Sequence, residues 1–338
     1  MRRSSRRAAL ALGLAVLLGV VLAGPALAKD TVVIYTALEN EQITDYMTSV
    51  NKSLPNIEIK MLRFSTGDIS ARFMAEKDNM QADVIWGVAA TNMLIFKNAG
   101  LLEPYAPKGL ERIQPLFKDK ANPPSWVGID IYMSAFCFNT AVAKKHNLPM
   151  PTSWADLTKP VYKGQVVMPN PNSSGTGYLS VASILQRMGE AEGWKYLDAL
   201  DKNMAEYTKS GSKPCKDAAA GERGIGISFE YVAQAMKKQG SPVEMVIPKE
   251  GAGYEMEANA LTRKAKNNAA AKQFLDWAIS NEAMGHYAKY WAAVAVAGFP
   301  VPEGLPKDIS KVVYPNDFDW SAKNRDRILA EWTKRYSK

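Results

Sequence analysis

Met168-Pro169-Asn170-Pro171-Asn172-Ser173-Ser174-Gly175-Thr176-Gly177 joins a short apolar run to an apolar helix pattern through a polar turn. Residues 165–168 read as a strand entering that turn, and Tyr178, Leu179, Ile184 and Leu185 recur at helical spacing after it. Such a junction aims unsatisfied backbone N–H groups and the positive end of a helix dipole at whatever lies above it. Serine and threonine hydroxyls add donors. The stretch therefore reads as an anion cradle, although an isolated Ser-Ser-Gly-Thr-Gly also makes an ordinary capped turn.

Outward from the turn, the same unit of apolar run, polar turn and helix pattern repeats. Residues 31–36, 56–62 and 82–86 read as strands, and the segments near 39–51, 69–74 and 91–98 as the helices between them. This alternation predicts an α/β fold with a largely parallel sheet and ligands at the carboxyl ends of its strands. Residues 101–126, rich in proline and aromatics, read as an extended connector, and 127–138 as a long strand into a second lobe. Beyond the opening turn, strands are expected near 206–209, 225–229, 243–247 and 257–263, and helix over 268–291. The domain reading is a first lobe over 29–128, a second over 129–250 and a return to the first over 251–338, with C-terminal helices shared. A cleft between two such lobes is a natural small-ligand site.

The N-terminus stands apart. Arg2, Arg3, Arg6 and Arg7 precede an apolar run over residues 8–23, and Ala26-Leu27-Ala28 offers a small-x-small cleavage site, so residues 1–28 read as a secretory signal and the protein as periplasmic. The 338-residue chain carries a formal charge of +8, with 42 basic and 34 acidic side chains. Without the four signal arginines, 38 basic side chains face the same 34 acids, a net of +4. That is too little to argue for nucleic acid, while a mild positive field favours a small anion. Cys137 and Cys215, the two cysteines, can pair as one disulfide but cannot build a thiolate metal site. Two histidines in unrelated contexts, His146 and His286, point away from a zinc site or a triad. No metal or cofactor is expected.

Three strand-to-helix junctions share one chemistry: Ser65-Thr66-Gly67, Ser173-Ser174-Gly175-Thr176 and Ser210-Gly211-Ser212. Together they suit a tetrahedral oxyanion gripped from both lobes by fixed dipoles, with no need of a lysine or arginine. Glu39, Trp86, Glu230 and Tyr231 occupy comparable positions at strand ends, with Glu255 and Glu257 as weaker options. A buried carboxylate without a cationic partner is costly, so acids facing the cleft would suit a ligand ammonium group, with Trp86 or Tyr231 stacked on it. The same acids could equally begin solvated helices.

These motifs resemble the periplasmic solute-binding proteins of ABC importers in the branch related to ferric-iron-binding proteins, above all those assigned to 2-aminoethylphosphonate uptake. The likeness is carried by Tyr35-Thr36-Ala37-Leu38-Glu39, Ala82 to Gly87, Met168 to Gly177, Ser210-Gly211-Ser212-Lys213-Pro214-Cys215 and Gly226-Ile227-Ser228-Phe229-Glu230-Tyr231. The resemblance implies a type II two-lobed binding protein, a monomer that is not an enzyme, which delivers its ligand to a membrane permease. By analogy it places a phosphonate on Ser65, Thr66, Ser173, Ser174, Gly175, Thr176, Gly211 and Ser212. It places the ammonium end near Tyr35, Thr36, Glu39, Trp86, Glu230, Tyr231 and Glu255. Glu230-Tyr231 stands where ferric-iron binders resemble one another in a tyrosine pair, which makes iron the alternative. Tyr254-Glu255 and Lys209 replace a tryptophan-aspartate pair and a histidine expected of the phosphonate group. An exported phosphoester hydrolase, the remaining alternative, would need a metal cluster or an activated nucleophile, and the sequence offers neither a histidine cluster nor a G-x-S-x-G elbow.

Overall fold

A computed structural model describes residues 29–337; the expected signal at residues 1–28 lies outside the described residues. The strand–helix alternation is present from the start. β1 (Asp30–Thr36) feeds α1 (Asn40–Ser53), β2 (Ile57–Arg63) feeds α2 (Thr66–Ala75), and β3 (Val84–Ala89) feeds α3 (Ala90–Asn98). The two-residue β4 (Leu102–Glu103) opens the expected connector, which ends at β5 (Val127–Asn139). Then come α4 (Thr140–His146), β6 (Val166–Pro169), α5 (Gly175–Met188), α6 (Glu190–Asp201), β7 (Met204–Thr208), α7 (Lys213–Ala219), β8 (Ile225–Phe229), α8 (Glu230–Lys238) and β9 (Val243–Val246). The chain closes with β10 (Tyr254–Thr262), α9 (Ala269–Ala278), α10 (Asn281–Tyr287), β11 (Ala293–Val294) and α11 (Phe318–Tyr336). Among these described residues no helix is long and apolar enough to cross a membrane.

The sheet order is β2-β1-β3-β10-β5-β8-β6-β7. β1 is parallel to β2 and β3, and β6 to β7 and β8, while β5 and β10 run antiparallel to their neighbours. Helices cover both faces, so β3 and β5 are buried along their whole length, and β3 reads in sequence as a continuous apolar run. This is the mixed α/β architecture expected of a type II binding protein.

β5 holds the two halves together. Its residues up to Met133 pair with β10, and from Ser134 onward with β8 and β9. The lobe boundary expected at 128/129 lies within this unbroken strand, and its change of pairing partner comes at 133/134. The chain crosses back just before Tyr254, where Ser134 N–H donates to the Gly253 carbonyl at 2.8 Å. One apolar core surrounds β1, β3 and α9, and a second collects Phe136, Trp154, Tyr178 and Leu185. The return to the first half is incomplete. Ile328, Trp332 and Tyr336, spaced four apart on α11, bury their stripe in the second core. The helix expected over 268–291 is two helices, interrupted at Ile279 and capped afresh by Ser280, whose hydroxyl accepts the Ala283 N–H. Cys137 on β5 and Cys215 on α7 are joined as a disulfide.

Candidate functional site

Six helices begin at one place because six strands end there. Glu39, Ser65, Ala89, Ser174 and Phe229 are the N-cap residues of α1, α2, α3, α5 and α8, and Gly211 immediately precedes Ser212, the N-cap of α7. All six line a single cleft between the halves, with about 470 Å³ of free space including its open mouth. Each N-terminus contributes unpaired N–H groups and a partial positive charge, so the cleft is an anion site by construction.

The donor wall is assembled from both halves. Thr66 and Gly175 approach so closely that a Cβ on Gly175 would sit 2.8 Å from Thr66 Oγ1, and a Cβ on Gly211 would collide with Thr176 Oγ1. Gly67 N–H donates to the Ser173 carbonyl at 2.9 Å, a backbone bond across the cleft. Glycine at 67 permits that approach, since a Cβ there would lie 2.7 Å from the Ser173 carbonyl carbon. Ser174 Oγ accepts the Gly177 N–H at 3.2 Å and so does double duty as helix cap. The hydroxyls of Ser65, Thr66 and Thr176 line the cleft.

The sequence reading of a wall without cations needs correction. Arg63, the last residue of β2, lines the cleft, its Nε donating to the Leu38 carbonyl at 2.9 Å and its guanidinium 3.2 Å from Glu39. Lys216 of α7 adds a second cation 3.6 Å from Glu39, reaching over from the other half. Glu39 is thus already paired, and its charge is not waiting for a ligand. A charged residue closing an otherwise apolar-alternating strand, two positions before Ser65, was the available signal for Arg63.

The opposite wall is acidic and aromatic: Tyr132, Phe229, Glu257 and Trp291, with Gln42 at its edge. Three of these carry buried polar atoms that no group among the described residues meets, namely Gln42 Nε2, Glu257 Oε2 and Trp291 Nε1. Gln42 accepts the Glu39 N–H through its oxygen at 2.9 Å, and its amide nitrogen has no partner among the described residues. Buried polar atoms without partners are costly, and a cleft lined with donors and acceptors of this kind is shaped for a polar ligand.

Of the residues singled out from the sequence, Glu39, Ser65, Thr66, Ser174, Gly175, Thr176, Gly211 and, from the weaker options, Glu257 meet in this cleft. The others stand elsewhere. Trp86 is fully buried on the core side of β3 among Tyr46, Phe274 and Trp277, its indole N–H 3.1 Å from Tyr287 Oη. Strand alternation turns it away from the cleft that Ala89 lines, so it cannot stack on a ligand there. Tyr35 donates to Glu76 at 2.7 Å, and Thr36 Oγ1 accepts the Leu38 N–H at 3.2 Å. Ser173 donates its hydroxyl to the Lys209 carbonyl at 2.8 Å, and Ser212 is buried at the head of α7.

Glu230 and Glu255 lie behind the cleft. Glu230 Oε2 accepts the Met133 N–H at 2.9 Å, at the point where β5 changes partners, and burial raises its carboxyl to about 8. Glu255 accepts from Thr91 Oγ1 and the Met256 N–H, and burial lifts it to about 7. Tyr231 packs its ring on Phe229, Tyr290 and Trp291. Periodicity cannot predict such placements, because the first residue of a helix can face either along the cleft or under it.

Two sheet halves joined by a shared strand, with opposed helix N-termini closing on a polar cleft, define a ligand-capturing protein of the binding-protein class. The chain belongs to the bacterial extracellular solute-binding protein family, whose pattern it matches over residues 79–323. It is 36% identical over 267 residues to an uncharacterized protein of Haemophilus influenzae, covering 78% of this chain and 77% of that one. A probable ABC transporter periplasmic-binding protein of Sinorhizobium fredii, y4fP, is 27% identical over 90% of this chain and 85% of its own. Among solved structures, the periplasmic binding protein AfuA of Actinobacillus pleuropneumoniae, determined with fructose-6-phosphate bound, superimposes with a TM-score of 0.85 at 31% identity, covering 91% of this chain and 99% of that one. The protein is a bacterial extracellular solute-binding protein by family.

Proposed function

We propose that this protein captures a small organic phosphonate or phosphate ester, with 2-aminoethylphosphonate the leading candidate, and hands it to its permease. The observation that carries the reading is the convergence of six helix N-termini and the Ser65, Thr66 and Thr176 hydroxyls on one cleft, with Arg63 at its floor. A tetrahedral oxyanion with several acceptor oxygens satisfies such a set, and a planar or monovalent anion would leave donors unpaired. The ammonium end would sit at the opposite wall, against Glu257 rather than Glu230 or Trp86. For about seven heavy atoms, a ceiling of roughly 1.5 kcal/mol each permits sub-micromolar binding.

A second reading, a phosphorylated polyol or sugar, is favoured by the free donors of Gln42 Nε2 and Trp291 Nε1, which suit ligand hydroxyls better than an ammonium group. The likeness to a protein solved with fructose-6-phosphate supports it. Ferric iron takes no support from the site, because neither Glu230 nor Tyr231 lines the cleft. Calorimetry with 2-aminoethylphosphonate, fructose-6-phosphate and ferric citrate separates the readings. One tight site for the first is expected; saturation by the second with no heat from the first moves the assignment to sugar phosphates, and a coloured iron complex overturns both.

A further inference from the structure

Two carboxyl groups meet beneath the acidic wall with no positive charge between them. Asp130 on β5 and Glu257 on β10 are direct partners across the antiparallel ladder, and both are buried. Among the described residues no N–H or O–H reaches either Asp130 oxygen or Glu257 Oε2. Paired positions of an antiparallel ladder put both side chains on one face of the sheet, so the two carboxyls are neighbours. Two adjacent buried carboxyls cannot both ionise, so the pair holds a proton. The titratable groups around it are Tyr46 of α1, Tyr132 of β5, Tyr287 of α10, Glu230 at the start of α8, and Glu39 with Arg63 on the cleft side. Arg63, the cation of this set, is already engaged by Glu39 and the Leu38 carbonyl.

We infer that the Asp130–Glu257 pair reads the charge of the ligand's body, keeping its shared proton opposite a neutral body and releasing it when a cationic group enters the cleft beside Glu257. In the second case the Asp130 O–H bond breaks, the proton passes to bulk solvent, and two carboxylates share one ammonium. The ligand gains and loses nothing, and the net charge of the complex balances by the proton set free. Burial supports this poise: it raises both carboxyls, and the facing charge of Glu257 raises Asp130 further. A nearby ammonium group, charged at neutral pH, pulls them back down. The inference rests on reading the cleft as a phosphonate or phosphate-ester site.

The test is calorimetry of the wild type and Asp130→Asn at neutral pH, in two buffers of different ionisation enthalpy, with 2-aminoethylphosphonate and with ethylphosphonate. The phosphonate's own ionisation contributes equally in both proteins and cancels. Wild type should release about one proton more than the variant with the amine, and the same number with ethylphosphonate. The amine's affinity should fall on the order of tenfold in the variant, ethylphosphonate's little. Glu257→Gln gives the same comparison should Asp130→Asn fail to fold. Binding of both ligands with no amine-specific proton difference overturns the inference alone; no binding of either overturns the phosphonate reading and the inference with it.

Discussion

The two walls of the cleft are built by opposite means. The donor wall is local: each of its pieces is a strand end, a Ser- or Gly-containing turn and a helix start, contiguous in sequence. The acidic wall is remote. Tyr132, Glu257 and Trp291 come from two neighbouring strands and a loop that no sequence spacing connects, and Asp130 lies under Glu257 only because β5 and β10 pair in one register. One wall offers dipoles that bind oxyanions of many kinds; the other offers a particular pattern of acids and aromatic donors. Affinity for the phosphorus group should therefore reside on the first, and choice of body on the second.

The largest effect is expected where the donor wall is stitched together. Gly67→Ala puts a methyl group into the Asn172 and Ser173 carbonyls, so the halves cannot approach as closely, and all ligands should weaken by about a hundredfold or more in calorimetry. A variant that binds at wild-type strength would show that the Gly67–Ser173 contact is dispensable. Trp86→Ala is the complementary case: it should lower stability by about 3–5 kcal/mol in denaturant melts, with affinity per folded molecule preserved, since the ring fills the core. Selective loss of the amine ligand would return Trp86 to the site.

Thr176→Val removes a hydroxyl from the donor wall and should cost about 1–3 kcal/mol with every phosphonate alike. The smallest effect is predicted for Glu230→Gln at neutral pH. Its carboxyl, raised to about 8, is already mostly protonated there, and a glutamine carbonyl can still accept the Met133 N–H. Its signature is pH dependence. A carboxyl raised in the folded state contributes stability that is lost as pH rises from its unfolded value through about 8, so wild-type melting temperature should fall over that range and the variant's should fall less. Parallel curves would mean that Glu230 does not titrate there.

How much was legible follows the same division. β8 was read to the residue from its apolar run, and the turn at Ser173 to Gly177 from its donors, because strand-turn-helix junctions carry their chemistry in adjacent residues. The facing of the first helical residue was not legible. Glu39 and Glu230 look alike in sequence, yet Glu39 lies in the cleft tied to Arg63, and Glu230 turns under it to hold β5. Trp86 failed for a related reason: a strand end belongs to the cleft only on one parity, and period-two alternation was not carried through to Ala89. Arg63 stands in the sequence as a charge at the end of β2, two positions before Ser65, and escapes a reading that looks for a cation-free cradle. Trp291 had no local signal at all.

The division between walls is tested most directly by measuring ethylphosphonate and 2-aminoethylphosphonate against wild type, Thr176→Val and Glu257→Gln in one calorimetric series. The account predicts that Thr176→Val weakens both ligands by the same factor, and that Glu257→Gln weakens the amine alone. Equal losses for both ligands in Glu257→Gln would contradict it.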